Sequence, residues 1–200
     1  DIKMKFLLFS DVHDDIKQTK KLLQRAHEKK VDIIIVPGDF TEFDTGLRRM
    51  LKMFNETKLP VYVLHGNHEN LEKLESTIKD YPNLTLFHKD HFIVDDIVFL
   101  GYGGDGFSRQ DSEFRKIART WYGKFKDKRV VLITHGPPYK TKLDKLKAGH
   151  VGNMDYRIFI ERIKPLMAIS GHLHDTMGEQ DEIGDTILLN PCWEGVIIEL

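Results

Sequence analysis

Five short stretches of this chain set oxygen- and nitrogen-bearing side chains close together: Asp11-Val12-His13, Gly38-Asp39, Asn67-His68, Thr134-His135 and Gly171-His172-Leu173-His174. Carboxylate oxygens, an amide carbonyl and unprotonated imidazoles are ligands for divalent transition ions, and this set contains no thiolate. Such a mixture suits manganese, iron, zinc, nickel or cobalt in a reactive site better than a structural zinc cage. Each stretch also has an ordinary explanation. Asp-x-His pairs arise by chance, Gly-Asp is a common turn, Asn-His can belong to a helix-capping loop, and a lone histidine at a strand end is more often structural. The stretch Gly171 to His174 is the most specific, because its two imidazoles could reach different ions if the loop passes between them.

Position separates the two explanations. Every stretch follows directly on an apolar, β-rich run: Phe6 to Phe9, Val31 to Val36, Val61 to Leu64, Val130 to Ile133 and Leu166 to Ile169. Nearly continuous apolar runs are expected for strands covered on both faces, and here they would form a central sheet. The metal-capable residues would then gather at one edge, beyond the carboxyl ends of the strands, where open α/β sheets bind ligands. Independent turns would not produce that alignment.

Helices lie between these runs. Ile16, Thr19, Leu22, Leu23 and Ala26 share one helical face, as do Leu47, Met50, Leu51 and Phe54. Asn70 can cap a third helix with Leu71, Leu74 and Ile78 inward, and Phe114, Ile117, Ala118, Trp121 and Phe125 mark a fourth. Phe92 to Val94 and Ile97 to Leu100 flank Asp95-Asp96 as a hairpin, and Ile187 to Leu189 and Val196 to Leu200 supply two late strands. Together these elements predict a mixed α+β fold in four αββα layers, two mixed sheets face to face with helices outside, as one domain over residues 1–200.

Composition bounds the function. A net charge of -1 gives no global field for nucleic acid, while 40% hydrophobic and 30% charged residues are ordinary for a soluble chain. Cys192 is the single cysteine, so no disulfide forms within the chain and the cytoplasm is the default location. It reads as a small packed hydrophobe rather than a nucleophile. The apolar opening stretch is too short for a signal peptide, and no run approaches the ~20 apolar residues that would cross a bilayer.

Asp-x-His, Gly-Asp, Gly-Asn-His-Glu, Thr-His and Gly-His-x-His, in this order from about Lys5 to Pro191, resemble the calcineurin-like metallophosphoesterase family. The resemblance implies an αββα sandwich and two divalent transition-metal ions, with manganese favoured over iron, nickel, cobalt or zinc. It implies Asp11, His13 and His174 on one ion, Asn67, His135 and His172 on the other, and Asp39 bridging them. It also implies His68 near the phosphate as general acid or transition-state stabiliser, not a ligand. A hydroxide held between the ions would attack phosphorus in line while His68 assists the leaving alkoxide. Asn190-Pro191-Cys192-Trp193 departs from the Asn-Pro-Gly-Ser of many members, which puts the shape of that loop in question.

The expected activity is hydrolysis of a small phosphoester, with phosphodiesters slightly favoured because no large inserted cap is visible. A nuclease is the alternative within enzymes, and a protein-binding scaffold is the alternative outside them. Nucleic acid is an unlikely partner on charge grounds, and the intact site set favours catalysis over a scaffold. Gly101 to Phe107 is a glycine-rich turn without a P-loop ending. Arg109 after it, and His150 after the lysine-rich stretch Lys140 to Lys147, are candidate substrate contacts. A solvated side chain is the plainer reading for Arg109, whereas for His150 a substrate contact or a place behind the metal ligands stands equally with an ordinary surface histidine.

Overall fold

Continuous burial along the central strands, with successive side chains sent to different clusters, decides the layering. The computed structural model describes residues 3–104 and 106–200, so Asp105 of the glycine-rich turn and the first two residues lie outside the described residues. In chain order the elements are β1 (Lys5–Leu8), α1 (Ile16–Glu28), β2 (Ile33–Val36), α2 (Leu47–Glu56), β3 (Val61–Val63), α3 (Leu71–Thr77) and β4 (Leu84–Leu86). Then come β5 (Asp90–Val94), β6 (Ile97–Tyr102), α4 (Ser112–Phe125), β7 (Arg129–Thr134), β8 (Lys145–Leu146) and β9 (Gly149–His150). The chain finishes with α5 (Met154–Ile163), β10 (Met167–Ile169), β11 (Gln180–Ile183), β12 (Thr186–Leu189) and β13 (Val196–Glu199).

The five site-bearing strands do not share one sheet. β1, β2 and β3 belong to a sheet of order β13-β1-β2-β3-β4, whereas β7 and β10 belong to another of order β11-β12-β10-β7-β6-β5. Both are parallel at the centre with antiparallel edge strands, β13 in the first and β11 and β5 in the second. The central sheet expected from the five apolar runs is thus two sheets, because near-continuous apolar runs report burial on both faces but not which strand is the neighbour.

Successive side chains on a strand point to opposite faces. Phe6 and Leu8 of β1, Ile33 and Ile35 of β2, Phe99 of β6, Val131 and Ile133 of β7 and Ile169 of β10 fill one cluster between the sheets. Phe6 and Phe99 meet edge to face across that gap with ring centroids 5.6 Å apart. The alternate residues face outward: Leu7, Ile34 and Val36 pack on Leu22, Ala26, Met50 and Phe54 of α1 and α2. On the other side Val98, Leu100, Val130 and Leu132 pack on Phe114, Trp121, Phe159 and Ile160 of α4 and α5. These three clusters make the four αββα layers. Fully burying a large apolar side chain stabilises by ~1.5–3 kcal/mol, so this central cluster fixes how the two sheets face each other and where their carboxyl ends meet.

Local signals set the helix starts. The Asn70 side chain accepts the Lys73 N–H at 2.9 Å to cap α3, and Asp111 caps α4 by accepting from Phe114. Helix α5 was not expected from the sequence, yet Asn153 caps it through Asp155 and Tyr156, and Tyr156, Phe159, Ile160 and Ile163 form its buried stripe. No helix among the described residues is long and apolar enough to cross a membrane.

Candidate metal centre

The loops leaving β1, β2, β3, β7 and β10 converge where the two sheets meet. All seven expected ligands arrive there, together with His68. Three groups have ligand atoms within 4.8 Å of one another: Asp11, His13 and His174; His13, Asp39 and His68; and Asp39, His135 and His172. His13 Nε2 lies 3.2 Å from His174 Nε2, and His174 Nε2 lies 3.7 Å from an Asp11 oxygen. In the other half Asn67 Oδ1 is 3.1 Å from His135 Nε2 and 3.0 Å from His172 Nδ1, while Asp39 Oδ2 is 3.4 Å from His135 Nε2. Of these, His13, Asp39, Asn67, His172 and His174, together with His68, line a cleft of about 440 Å³ that Glu42, Phe107 and Leu173 also border.

Such crowding requires unusual backbone. Asp11, His13, Asp39 and His172 have φ of 55°, 42°, 50° and 71°, in the left-handed region that non-glycine residues enter at a cost. Interstrand bonds hold them there: Asp11 N–H donates to the Gly38 carbonyl, His13 N–H to that of Asp39 and His172 N–H to the Asp11 carboxylate. Ser10 Oγ also donates to the Asp11 carboxylate. Gly66 is required by space, since a Cβ there would overlap an Asp39 oxygen and the His135 ring.

A cation fits this donor set on electrostatic grounds. Asp11 and Asp39 are each 2% exposed, and their ion-pair partners among the described residues are histidines, with no lysine or arginine. Burial would raise the Asp39 carboxyl, but the facing His135 overrides it and holds the group at about 2. Burial likewise opposes a charge on His135, and Asp39 outweighs it to raise the imidazole to about 9. His174 is raised chiefly by its bond to Asp11. Without a cation these shifts leave protons on His135 and His174 to balance Asp39 and Asp11, and a divalent ion in each half would take the place of those protons among the carboxylate, amide and imidazole donors.

Residues beyond the expected set support it. Glu69 is buried and accepts four hydrogen bonds, from the N–H groups of Asp39, Gly66 and Thr41 and the Thr41 hydroxyl, at 2.8 to 2.9 Å. Burial, then the Asp39 charge, raise its carboxyl to about 7. His135 Nδ1 lies 2.8 Å from the Pro37 carbonyl, which fixes Nδ1 as the donor and leaves Nε2 for the site. The Glu in Gly-Asn-His-Glu was the sequence signal for the first; nothing in the sequence marked Pro37. Trp193 packs edge-on to His174 at 5.1 Å, so the large side chain of the divergent Asn-Pro-Cys-Trp segment borders the site. Cys192 is fully buried and burial pushes its thiol up, in keeping with a packing role.

Arg109 and His150 are not among the residues lining the cleft. Arg109 donates to the His150 carbonyl at 3.2 Å and lies over the Tyr139 ring, and His150 Nδ1 is 2.7 Å from the buried Asp144. Asp144 also accepts the N–H groups of Lys140, Thr141 and Gly152, so it shapes the lysine-rich loop, whose lysines at 140, 142, 145 and 147 are exposed.

The chain is similar to known proteins in sequence and in fold. A probable glycerophosphodiester phosphodiesterase, GpdQ, of Arcobacter nitrofigilis is 26% identical over 158 residues, covering 72% of this chain and 57% of that protein. The chain thus spans less than two thirds of that relative's length. An uncharacterized protein of Methanocaldococcus jannaschii is 26% identical over 199 residues, 94% of this chain and 88% of its own. The crystal structure of TT1561 from Thermus thermophilus superposes with a TM-score of 0.76 at 14% identity, covering 96% of this chain and 90% of that one, which shows the fold. The family model for calcineurin-like phosphoesterases matches residues 4–176, from β1 through the Gly-His-x-His loop, and the chain belongs to that family of metal-dependent phosphoesterases.

Proposed function

We propose that this chain is a two-metal phosphoester hydrolase that prefers phosphodiesters to phosphomonoesters. The observation that carries the reading is a chain of overlapping ligand groups where the sheets meet: His13 joins the Asp11 and His174 group to Asp39, and buried Asp39 joins His13 to His135 and His172. Asp11, His13 and His174 would hold one ion, Asn67, His135 and His172 the other, and Asp39 both. Two divalent ions, manganese in our reading, would supply positive charge for the phosphoryl oxygens and a nucleophile from water at neutral pH.

The chain itself supplies orientation and a proton. His68 is held by its N–H bond to Asp39 Oδ1 at 3.0 Å and by stacking on Phe43 with centroids 4.1 Å apart. Its Nδ1 faces Glu42, which leaves Nε2 to protonate the departing oxygen. Arg109 and His150, linked to each other outside the cleft lining, would meet only the distal part of a larger substrate. The phosphodiesterase name of the Arcobacter relative agrees with the diester preference.

The test is turnover of an aryl phosphodiester, an aryl monoester and a dialkyl phosphodiester with Mn, Ni, Co, Zn and Mg, using His68→Ala as control. We expect His68→Ala to keep its metal and lose activity by about a hundredfold or more on the dialkyl phosphodiester, whose leaving alkoxide needs the proton, and by less on the aryl esters. No turnover with any of these ions would reject the hydrolase reading, and unchanged activity of the variant on the dialkyl phosphodiester would remove His68 from it.

A further inference from the structure

The segment after Asp39 carries two features that packing does not demand. Phe43 is 67% exposed, and Phe43 and Asp44 have φ of 47° and 61°. A bulky aromatic in the left-handed region is a genuine outlier, and exposing it forfeits its burial. The fold nevertheless fixes this loop. Glu42 N–H and Gly46 N–H donate to Asp14 Oδ2 at 2.9 and 3.1 Å, Asp44 N–H donates to the His68 carbonyl at 3.2 Å, and Asn70 N–H donates to the Asp44 carboxylate.

What the loop presents is specific. The Phe43 ring stacks on His68 with an interplanar angle of 25°, so its exposed area adjoins the cleft. One oxygen of Glu42, Oε2, lies 3.3 Å from His13 Nδ1 and 3.6 Å from His68 Nδ1. Glu42 lines the cleft, and its side chain is half exposed. That carboxylate meets both rings on their Nδ1 side, so it lines the cleft one imidazole's width from a phosphate held at their Nε2 atoms.

We propose that Glu42 and Phe43 set the substrate class: a phosphodiester, singly charged at phosphorus, whose second ester arm is a flat or apolar group lying on Phe43. The inference rests on the phosphoesterase reading above. A monoester carries close to two negative charges at neutral pH, since its second pKa is about 6. A diester carries one. The Glu42 charge therefore penalises the monoester more, and across roughly 6–8 Å at a dielectric between protein and water one extra charge costs roughly tenfold in binding. Phe43 adds the opposite preference, attraction for the arm that only a diester has, because an exposed ring favours offset contact with a second flat surface.

Three substrates separate these effects: p-nitrophenyl phosphate, methyl p-nitrophenyl phosphate and bis(p-nitrophenyl) phosphate, each measured as kcat/KM with the manganese-loaded full chain. Glu42→Gln should raise the monoester-to-methyl-diester ratio about tenfold over wild type. Phe43→Ala should lower the bis-to-methyl ratio about tenfold. Both side chains are half exposed or more, so folding is not at stake, and metal content of each variant confirms an intact centre. An unmoved monoester-to-diester ratio in Glu42→Gln would overturn the charge argument. An equal fall for both diesters in Phe43→Ala would reduce Phe43 to a prop for His68. If wild type turns over none of the three, the phosphoesterase reading falls and takes the inference with it; turnover with unmoved ratios removes the inference alone.

Discussion

His135 is fully buried and braced by the Pro37 carbonyl, Asn67 and Asp39, whereas the His174 side chain is 47% exposed and rests on Asp11, His13 and the edge of Trp193. The two halves of the centre are thus built by different means. His135 itself lies beneath the cleft, where Glu69 gathers Asp39, Gly66 and Thr41 on one carboxylate, while Asp39, Asn67 and His172 reach the lining of the cleft. The half around His174 is assembled at its mouth from short loops. Ligands locked by packing and by hydrogen bonds in a second layer hold an ion tightly, while exposed ones release it more readily. If two ions bind as proposed, the one beside His135 should be held more tightly than the one beside His174.

The strongest way to break that contrast is to remove one histidine from each half. His174→Ala should fold normally and keep about one ion per chain, while losing turnover by roughly a thousandfold because the second ion is needed for charge neutralisation. His135→Ala should lose both ions and also lower the melting temperature, since it leaves Asp39 as a buried charge without its partner, a loss of ~3–5 kcal/mol. Metal analysis after gel filtration, together with thermal melts, reads both outcomes. Equal metal loss and equal melting in the two variants would abolish the distinction between the halves.

Glu69→Ala sharpens it without touching a ligand. The substitution strands three N–H groups and a hydroxyl in a buried place, and each unsatisfied donor costs ~1–3 kcal/mol before relaxation or water repairs some of them. A net loss of about 3 kcal/mol in urea unfolding is expected, with Glu69→Gln intermediate because one acceptor oxygen survives. A loss below about 1 kcal/mol would mean that the buried half does not depend on this carboxylate.

The same division explains what the sequence made legible. The convergence of the residues of the candidate metal centre was legible because each stands just past an apolar run, and strand ends are local. Strand partners were not: β1 and β7 have similar runs, yet one packs beside β13 and β2 and the other between β6 and β10. β11 was missed because Gln180–Ile183 is a mostly polar edge strand, whose pairing to β12 rests on backbone bonds rather than on apolar periodicity. The stripe of α5 was present and overlooked behind the lysine-rich loop, although Asn153 announces it in the same way that Asn70 announces α3. Glu42 and Phe43 gave no signal, because their importance lies in what His13 and His68 bring to them across the fold.

The smallest expected effect concerns acid and again belongs to the buried half. His88, between β4 and β5, accepts the Gly103 N–H on Nδ1 at 2.9 Å, and its ring meets that of His65 edge-on at 4.5 Å, two residues before Asn67. Burial, followed by the positive charges of His65 and Lys89, lowers the His88 pKa to about 3. Its folded value is therefore below the unfolded 6.5, and as pH falls the unfolded chain takes up the proton first. The stability tied to neutral His88 is complete above about 6.5 and drains away toward 3, with about 2 kcal/mol gone between pH 7 and pH 5. His88→Asn keeps an acceptor for Gly103 but cannot titrate, so its urea midpoint should fall less between those pH values than that of wild type. Parallel midpoints would show that the His65 and His88 pair is hydrated enough to charge without cost, and that the buried half ends at Asn67.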